Sequence, residues 1–532
     1  MSVPRWTPAS EVTKREAYLL KRLQRTKKLF RFLREQRLEL FDAAFQDELA
    51  SMYRDADEGK EPVPPAQLAM AILLQAYTRS SDAEAIENAT VDSRWRMVLG
   101  CLAPEEEDPP FSQGTLQRFR QRMIAHDMDR RLLERTVELA KKTGGFDYKK
   151  LPKDVRLAVD SRPLTGAGRV EDTFNLLGHA ARKLLKCAAA IAGMEPSEVA
   201  ESIDAPVLIS TSTKRGLDID WNDPEQKAGA IKKLVEQIDR LETWVHDKLG
   251  EAAERPPLSE QLATLAQLRE QDLEPDPEGG GGPRIKDGVA PDRRISIEDP
   301  DMRHGRKSKS QTIKGYKTHL GADLDTNLIV ACAVTPANKP EADALPAIVE
   351  DLARYSERNA IGSLHIDRGY LASDAVRTLS SAGVSIVSKP WRSQPSELFG
   401  KSDFKLDLRR LTITCPAGQT EKIALGTVVH FPAETCDACP MRSQCTDAKP
   451  GRGRAVTIAP DELLQKKLRA AIATPSGREM LRDRVAIEHR LSHHARKQGP
   501  RARYRGVRNN VFDSRRHAAT MNLENLQLAN AA

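Results

Sequence analysis

Gly362-Ser363-Leu364-His365-Ile366-Asp367-Arg368-Gly369-Tyr370 decides how the chain is read. Ile361, Leu364 and Ile366 make a short apolar run that stops on a carboxylate and a glycine. The pattern predicts a buried strand ending at Asp367, a turn at Gly369 and a helix over 371–382. A second copy lies upstream, where Val155-Arg156-Leu157-Ala158-Val159-Asp160 reads as a strand that ends on an acid, with Pro163 stopping it. Two strand-end aspartates in one sheet, joined by an acid from a late helix, can gather oxygen ligands round a divalent metal. A strand-end Asp alone is ordinarily a turn residue or a helix cap. The neighbours must decide.

Working outward, the segment after Asp160 predicts helix over 165–194 and a long amphipathic helix over 224–249. The latter carries Ile231, Leu234, Val235, Ile238, Leu241, Val245 and Leu249 at i, i+3, i+4, i+7 spacing. Pro256 and Pro257 end it, a shorter helix carries Leu262, Leu265 and Leu268, and Glu274–Glu278 with Gly279–Gly282 reads as a flexible linker. Strands over 315–323 and 328–334 flank Asp325-Thr326-Asn327 as a hairpin. A helix over 342–356, the Asp367 strand, the 371–382 helix and a strand over 384–388 follow. The order predicts one α/β sheet opened by a helical insertion at about 171–305, within a unit spanning 151–400. Before it, residues 1–150 read as all-helical with short connections, including a helix behind Pro64 and Pro65 and others capped by Ser81 and Ser112. Such a bundle is either a DNA-binding or a packing domain. Residues 401–458 form a cysteine-bearing subregion, and 459–532 a helical, basic end.

Of 532 residues 39% are apolar and 30% charged, and no apolar stretch approaches the ~18 residues a membrane-spanning helix needs. The start, Met1-Ser2-Val3-Pro4-Arg5-Trp6, has no secretory apolar segment. A cytoplasmic protein is expected. The net charge of +7 is unevenly spread: from Arg478 to Arg516, eleven Arg and one Lys stand against four acids, a local +8. A stripe this basic suits phosphate binding, with a solvated face as the alternative. Arg484, Arg496, Lys497, Arg501, Arg503, Arg505 and Arg508 are its candidate DNA contacts. In the same segment Glu488 lies one helical turn after Arg484, so the two share a face. An exposed Glu–Arg pair is the plain reading of that spacing. His489, His493 and His494 lack a metal motif and read as phosphate contacts or surface.

Cys101, Cys187 and Cys332 are scattered and read as buried thiols. Cys415, Cys436, Cys439 and Cys445 fall within 31 residues with a C-x-x-C core, which suits a structural Zn²⁺ site or four free thiols.

Taken in order, these features resemble the DDE transposases of bacterial insertion sequences, whose catalytic domain is ribonuclease H-like. The resemblance rests on Val159-Asp160-Ser161 with Gly166-Ala167-Gly168 and Glu171-Asp172-Thr173, on Lys314-Gly315-Tyr316-Lys317-Thr318-His319, on His365-Ile366-Asp367-Arg368-Gly369-Tyr370, and on Arg484-x-x-x-Glu488 with the basic tail. It departs from the related Tyr-Arg-Glu-Lys signature at Leu481 and Ala495. The resemblance implies a ribonuclease H-like mixed sheet behind a helical N-terminal domain. It implies Asp160, Asp367 and Glu488 as ligands of Mg²⁺ or Mn²⁺. It further implies double-stranded DNA, both element ends and target, as partner, no membrane, and at least a dimer when two ends are paired. A nuclease of the same fold without strand transfer, and an inactive DNA-binding relative, stay open.

Overall fold

The computed structural model describes residues 3–23, 28–54, 61–102, 108–143, 146–147, 149–276, 282–306, 310–355, 360–391 and 397–530. Its centre is a mixed sheet of β1 (Val155–Thr165), β2 (Arg303–Arg306), β3 (Thr312–Asp323), β4 (Ile329–Pro336), β5 (Ile361–His365) and β6 (Ser385–Val387). β1 pairs antiparallel with β3 on one side and parallel with β5 on the other. β6 continues beyond β5, while β2 and β4 share the far edge of β3.

Register places the two aspartates. Ala158 pairs with His365 across the parallel β1–β5 contact, and Asp160 and Asp367 each lie two residues further on. Side chains two apart on a strand share a face, so the acids leave neighbouring strands at the same level. β1 runs on past Asp160 to Thr165 because β3 keeps pairing with it, Asp160 opposite Leu320 and Ser161 opposite His319. The β3–β4 hairpin turns at Asn327, which adopts the left-handed region at φ 58°.

The insertion between β1 and β2 builds its own apolar core from the helices Thr173–Ala192, Pro224–Leu249 and Leu258–Asp272. The stripe from Ile231 to Val245 is buried as its spacing predicts, and Leu249 is partly so. The helix expected from 165 starts only at Thr173, behind its Asp172 cap. Where a linker was expected, Leu273–Pro275 pairs antiparallel with Pro283–Ile285; 277–281, which hold most of the glycine run, lie outside the described residues, as does the expected end of a helix at Ser356. That helix is Leu345–Tyr355 after a short turn, Glu341–Ala344.

The leading helices pack as one core with the sheet. Their common seat is the C-terminal helix Val507–Ala529, which meets β4, the helix Pro65–Thr78 and the helix Met128–Lys142. It buries charge as well as carbon. Arg515 reaches Asp127 (2.6 Å), Asp129 (3.1 Å) and Asp351 (3.2 Å), while Arg516 binds Asp513 and Gln75. Asn522 accepts from Ile329 N and donates to Ile329 O, both at 2.8 Å, closing the end of β4. Residues 399–458 carry small sheets around Phe404, Ile413, Phe431 and Ile458.

Candidate active site

Asp160 is held on β1 by its neighbour's amide as well as by its strand. Its Oδ1 accepts from Ser161 N at 2.8 Å, leaving Oδ2 to face Arg484 Nη1 at 2.9 Å. Asp367 caps the turn Arg368–Tyr370 through Arg368 N at 2.8 Å and is exposed. Both aspartates thus make the local bonds common to such positions, and both also line one cleft of ≈590 Å³. Glu488 joins them from the helix Val485–Gln498, where Arg484 Nη2 donates to its Oε1 at 2.7 Å. One guanidinium therefore bridges the first and third acids. Its i, i+4 spacing to Glu488 was legible; its contact to Asp160, 324 residues away, was not.

The cleft wall alternates sign. Arg162, Arg306, Lys317 and Arg484 line it with Asp160, Asp367, Glu488 and a fourth acid, Glu341. Burial pushes the Asp160 carboxyl above its ordinary range. Ser161 N and Arg484 oppose that rise, and the charges of Glu341 and Asp367 add to it. Burial lowers Lys317, against the pull of Glu341 and Asp343. Glu341 went unremarked in the sequence, yet it too follows a strand end, five residues after β4 closes at Pro336.

The glycine motifs serve packing. A Cβ at Gly315, whose φ is 149°, would strike the backbone of Gly166, and one at Gly166 would strike Met302. The 166–168 and 314–316 segments can approach only without side chains there. Glu171 is buried, bonded to His179 Nδ1 at 3.0 Å.

The basic segment divides in two. Arg508 binds Asp129 (3.0 Å), Lys497 binds Glu524 (2.7 Å), and Arg503 donates to Ser80 O (2.6 Å), tying the end of the chain to the leader and to itself. Arg496, Arg501 and Arg505 are exposed, the last paired with Glu298 at 2.5 Å and Arg501 donating to Ala167 O at 3.0 Å. Arg515 and Arg516 are interior. His494, expected at the surface, is fully buried with Nε2 on Ser514 O at 3.1 Å, because the C-terminal helix covers that face; His489 and His493 are exposed.

Cys415, Cys436, Cys439 and Cys445 are free thiols round a separate cavity of ≈510 Å³. Burial raises the Cys445 thiol, Arg454 opposes this, and the other three cysteines add to it. Cys101 and Cys332 are buried thiols as expected, whereas Cys187 is half-buried. Among the described residues no three His, Cys, Asp or Glu side chains are set round one metal position, at either cavity. The donor types still fit: hard carboxylate oxygens in the cleft, thiols in the second cavity. Among the described residues no helix is long and apolar enough to cross a membrane.

No curated protein and no solved structure matches this chain. Two family models do. One described as a transposase DDE domain matches 411–527, which includes Arg484 and Glu488; one described as a transposase domain (DUF772) matches 20–122 in the helical leader. Asp160 and Asp367 lie outside both matched segments, and the sheet brings them to the cleft of the one that holds Glu488. These two segments, one before the sheet in sequence and one after it, are each similar to a transposase family, and together they support a DDE transposase of an insertion element.

Proposed function

We propose that this protein binds the terminal inverted repeats of its element as double-stranded DNA, cuts there with a divalent metal, and joins the freed ends to a target. The observation that carries the reading is the meeting of Asp160, Asp367 and Glu488, from three distant parts of the chain, in one cleft with four cationic walls. These three acids would hold Mg²⁺ or Mn²⁺. Bound there, the metal supplies an activated water or 3′-OH and charge relief at the leaving oxygen. Arg484 offsets the charge of Asp160 and Glu488, and with Arg306 and Lys317 it offers the phosphate backbone a cationic rim. The mixed sheet, with its helical insertion after the first acid, supports a ribonuclease H-like catalytic domain. Arg496, Arg501 and Arg505 extend the DNA path; pairing two ends calls for at least a dimer, in the cytoplasm and on the nucleoid. The four thiols are the place for a structural Zn²⁺, which would draw them together.

The test uses a duplex bearing the element end. Asp160→Asn, Asp367→Asn and Glu488→Gln are expected to abolish Mg²⁺-dependent cleavage while DNA binding persists, since removing negative charge does not weaken phosphate attraction. Asp374→Asn, at an exposed aspartate on the helix after Tyr370, should cut normally. Pre-cut ends offered to a plasmid then separate a strand-joining enzyme from a nuclease. An active Asp160→Asn or Asp367→Asn variant would end this reading.

A further inference from the structure

Glu341 touches both β1 beside Asp160 and the turn that follows Asp367. Ser161 Oγ donates to Glu341 Oε1, directly beside Asp160. Its Oε2 lies over Gly369, two residues beyond Asp367, so closely that a Cβ there would collide with it. The glycine whose signal in the sequence was a turn is thus also the opening through which a carboxylate reaches the Asp367 loop. Behind Ser161 the polar contacts continue inward. Tyr370, fully buried, pairs with His319 Nδ1 at 2.7 Å, and His319 Nε2 pairs with Thr335 Oγ1 at 3.0 Å. The His319 and Tyr370 ends of two separate sequence motifs therefore meet beneath the acids, in the floor between β3, β4 and the Asp367 turn.

Resting on the transposase reading of this cleft, we propose that Glu341 is a positioning residue: by accepting from Ser161 and seating against Gly369, it fixes the spacing of Asp160 and Asp367 for metal binding. The physical argument is one of preorganisation. Asp160 is part of a long paired strand, but Asp367 is exposed on a single 3₁₀ turn beyond the end of β5. Tyr370 and Arg368 tie that turn to His319 and to Pro390 O, and Glu341 is the contact that ties it to β1 beside Asp160. A metal site that must first order its carboxylates binds more weakly, and partners one shell out from metal ligands are worth about 10–100-fold in affinity or activity. Burial raises the Tyr370 hydroxyl well above its ordinary range, and the charges of Glu341, Asp160 and Asp367 add to that, so the floor stays a neutral hydrogen-bonding surface.

The experiment measures Mn²⁺ affinity of the full-length free protein by calorimetry, and kcat and KM on end-bearing duplex, for Glu341→Ala, Glu341→Gln, Ser161→Ala and the Glu341→Ala/Ser161→Ala double variant. Thermal unfolding confirms that each is folded. Expected are a loss of about 10–100-fold in Mn²⁺ affinity and in kcat for Glu341→Ala, with KM for DNA unchanged. Glu341→Gln should retain most of both, because its amide oxygen still accepts from Ser161. Ser161→Ala should lose in the same direction, and the double variant should be no worse than the worse single, as for two residues acting through one contact. Wild-type Mn²⁺ affinity in Glu341→Ala, Glu341→Gln as impaired as Glu341→Ala, or losses that simply multiply in the double variant would each overturn the assignment. If the wild-type protein binds Mn²⁺ but cuts no DNA, the transposase reading fails while the Mn²⁺ measurement still judges Glu341.

Discussion

Replacing Arg515 by methionine asks how much of the basic segment is structural. The guanidinium sits among three carboxylates, with only 8% of its side chain exposed; Asp129 is 1% and Asp351 10% exposed. Methionine fills similar space without charge, leaving Asp129 to Arg508 alone and Asp351 without its 3.2 Å partner. Removing one member of a buried ion cluster typically costs about 3–5 kcal/mol, since the remaining charges stay desolvated. At roughly 2–4 °C per kcal/mol for a domain-sized unit, the melting temperature should fall by on the order of 10 °C. The comparison is Arg505→Gln. That residue and its partner Glu298 are 55% and 36% exposed, where an ion pair contributes about 0–1 kcal/mol, so melting should barely move. Differential scanning of both variants beside wild type reads the contrast. If Arg515→Met melts with the wild type, or if Arg505→Gln is the less stable of the two, the division of these arginines into interior braces and surface cations is wrong.

The surface half of the segment should show itself in DNA binding: Arg496→Gln, Arg501→Gln and Arg505→Gln should each reduce the slope of log affinity against log salt, by about 0.9 per phosphate contact removed. An unchanged slope in fluorescence anisotropy titrations takes the residue out of the interface. Stability should fall in mild acid. Burial lowers His319 and His494 to about 3, His365 to about 4, and His517 well below its ordinary value. Unfolded histidines protonate near ~6.5, so the unfolded chain binds more protons below that pH, and folding loses up to about 5 kcal/mol per pH unit near pH 5. Urea unfolding between pH 7 and 5 measures this, and His494→Gln should reduce the slope by about a quarter; a flat profile would refute it. Purified protein is expected to carry about one Zn per chain at the four cysteines, lost in Cys436→Ser with Cys439→Ser. Metal-free protein with four titratable thiols would leave them as plain thiols.

What the sequence made legible follows from which features are local. Asp160 and Asp367 stood out because an apolar run ending on an acid is contiguous, although β1 itself continues past its acid to Thr165. Arg484 and Glu488 stood out because one helical turn separates them. The long insertion helix declared itself by a stripe repeated over seven apolar positions. Charge density was less informative, because an arginine that grips Asp129 and one that faces solvent are written identically. The fate of Arg508 is fixed by a partner 379 residues away, and that of Arg505 by one 207 residues away. His494 was misread because the C-terminal helix folds back over it, setting Ser514 O against its Nε2.

Glu341 is the sharpest case of this kind. Nothing adjacent to it marks it as more than a loop acid after a strand. Its significance arises only once β1 and the Asp367 turn are side by side, so that Ser161 and the bare backbone of Gly369 present themselves together. The parallel pairing of β1 with β5 therefore creates a contact that neither apolar run encodes. A glycine following a strand-end acid carries two meanings that a single sequence does not separate, a turn and a close approach by another chain segment. Here the second meaning adds a carboxylate to the cleft. A substitution as small as Gly369→Ala would therefore press on Glu341 and, through its bond to Ser161, on the strand that carries Asp160.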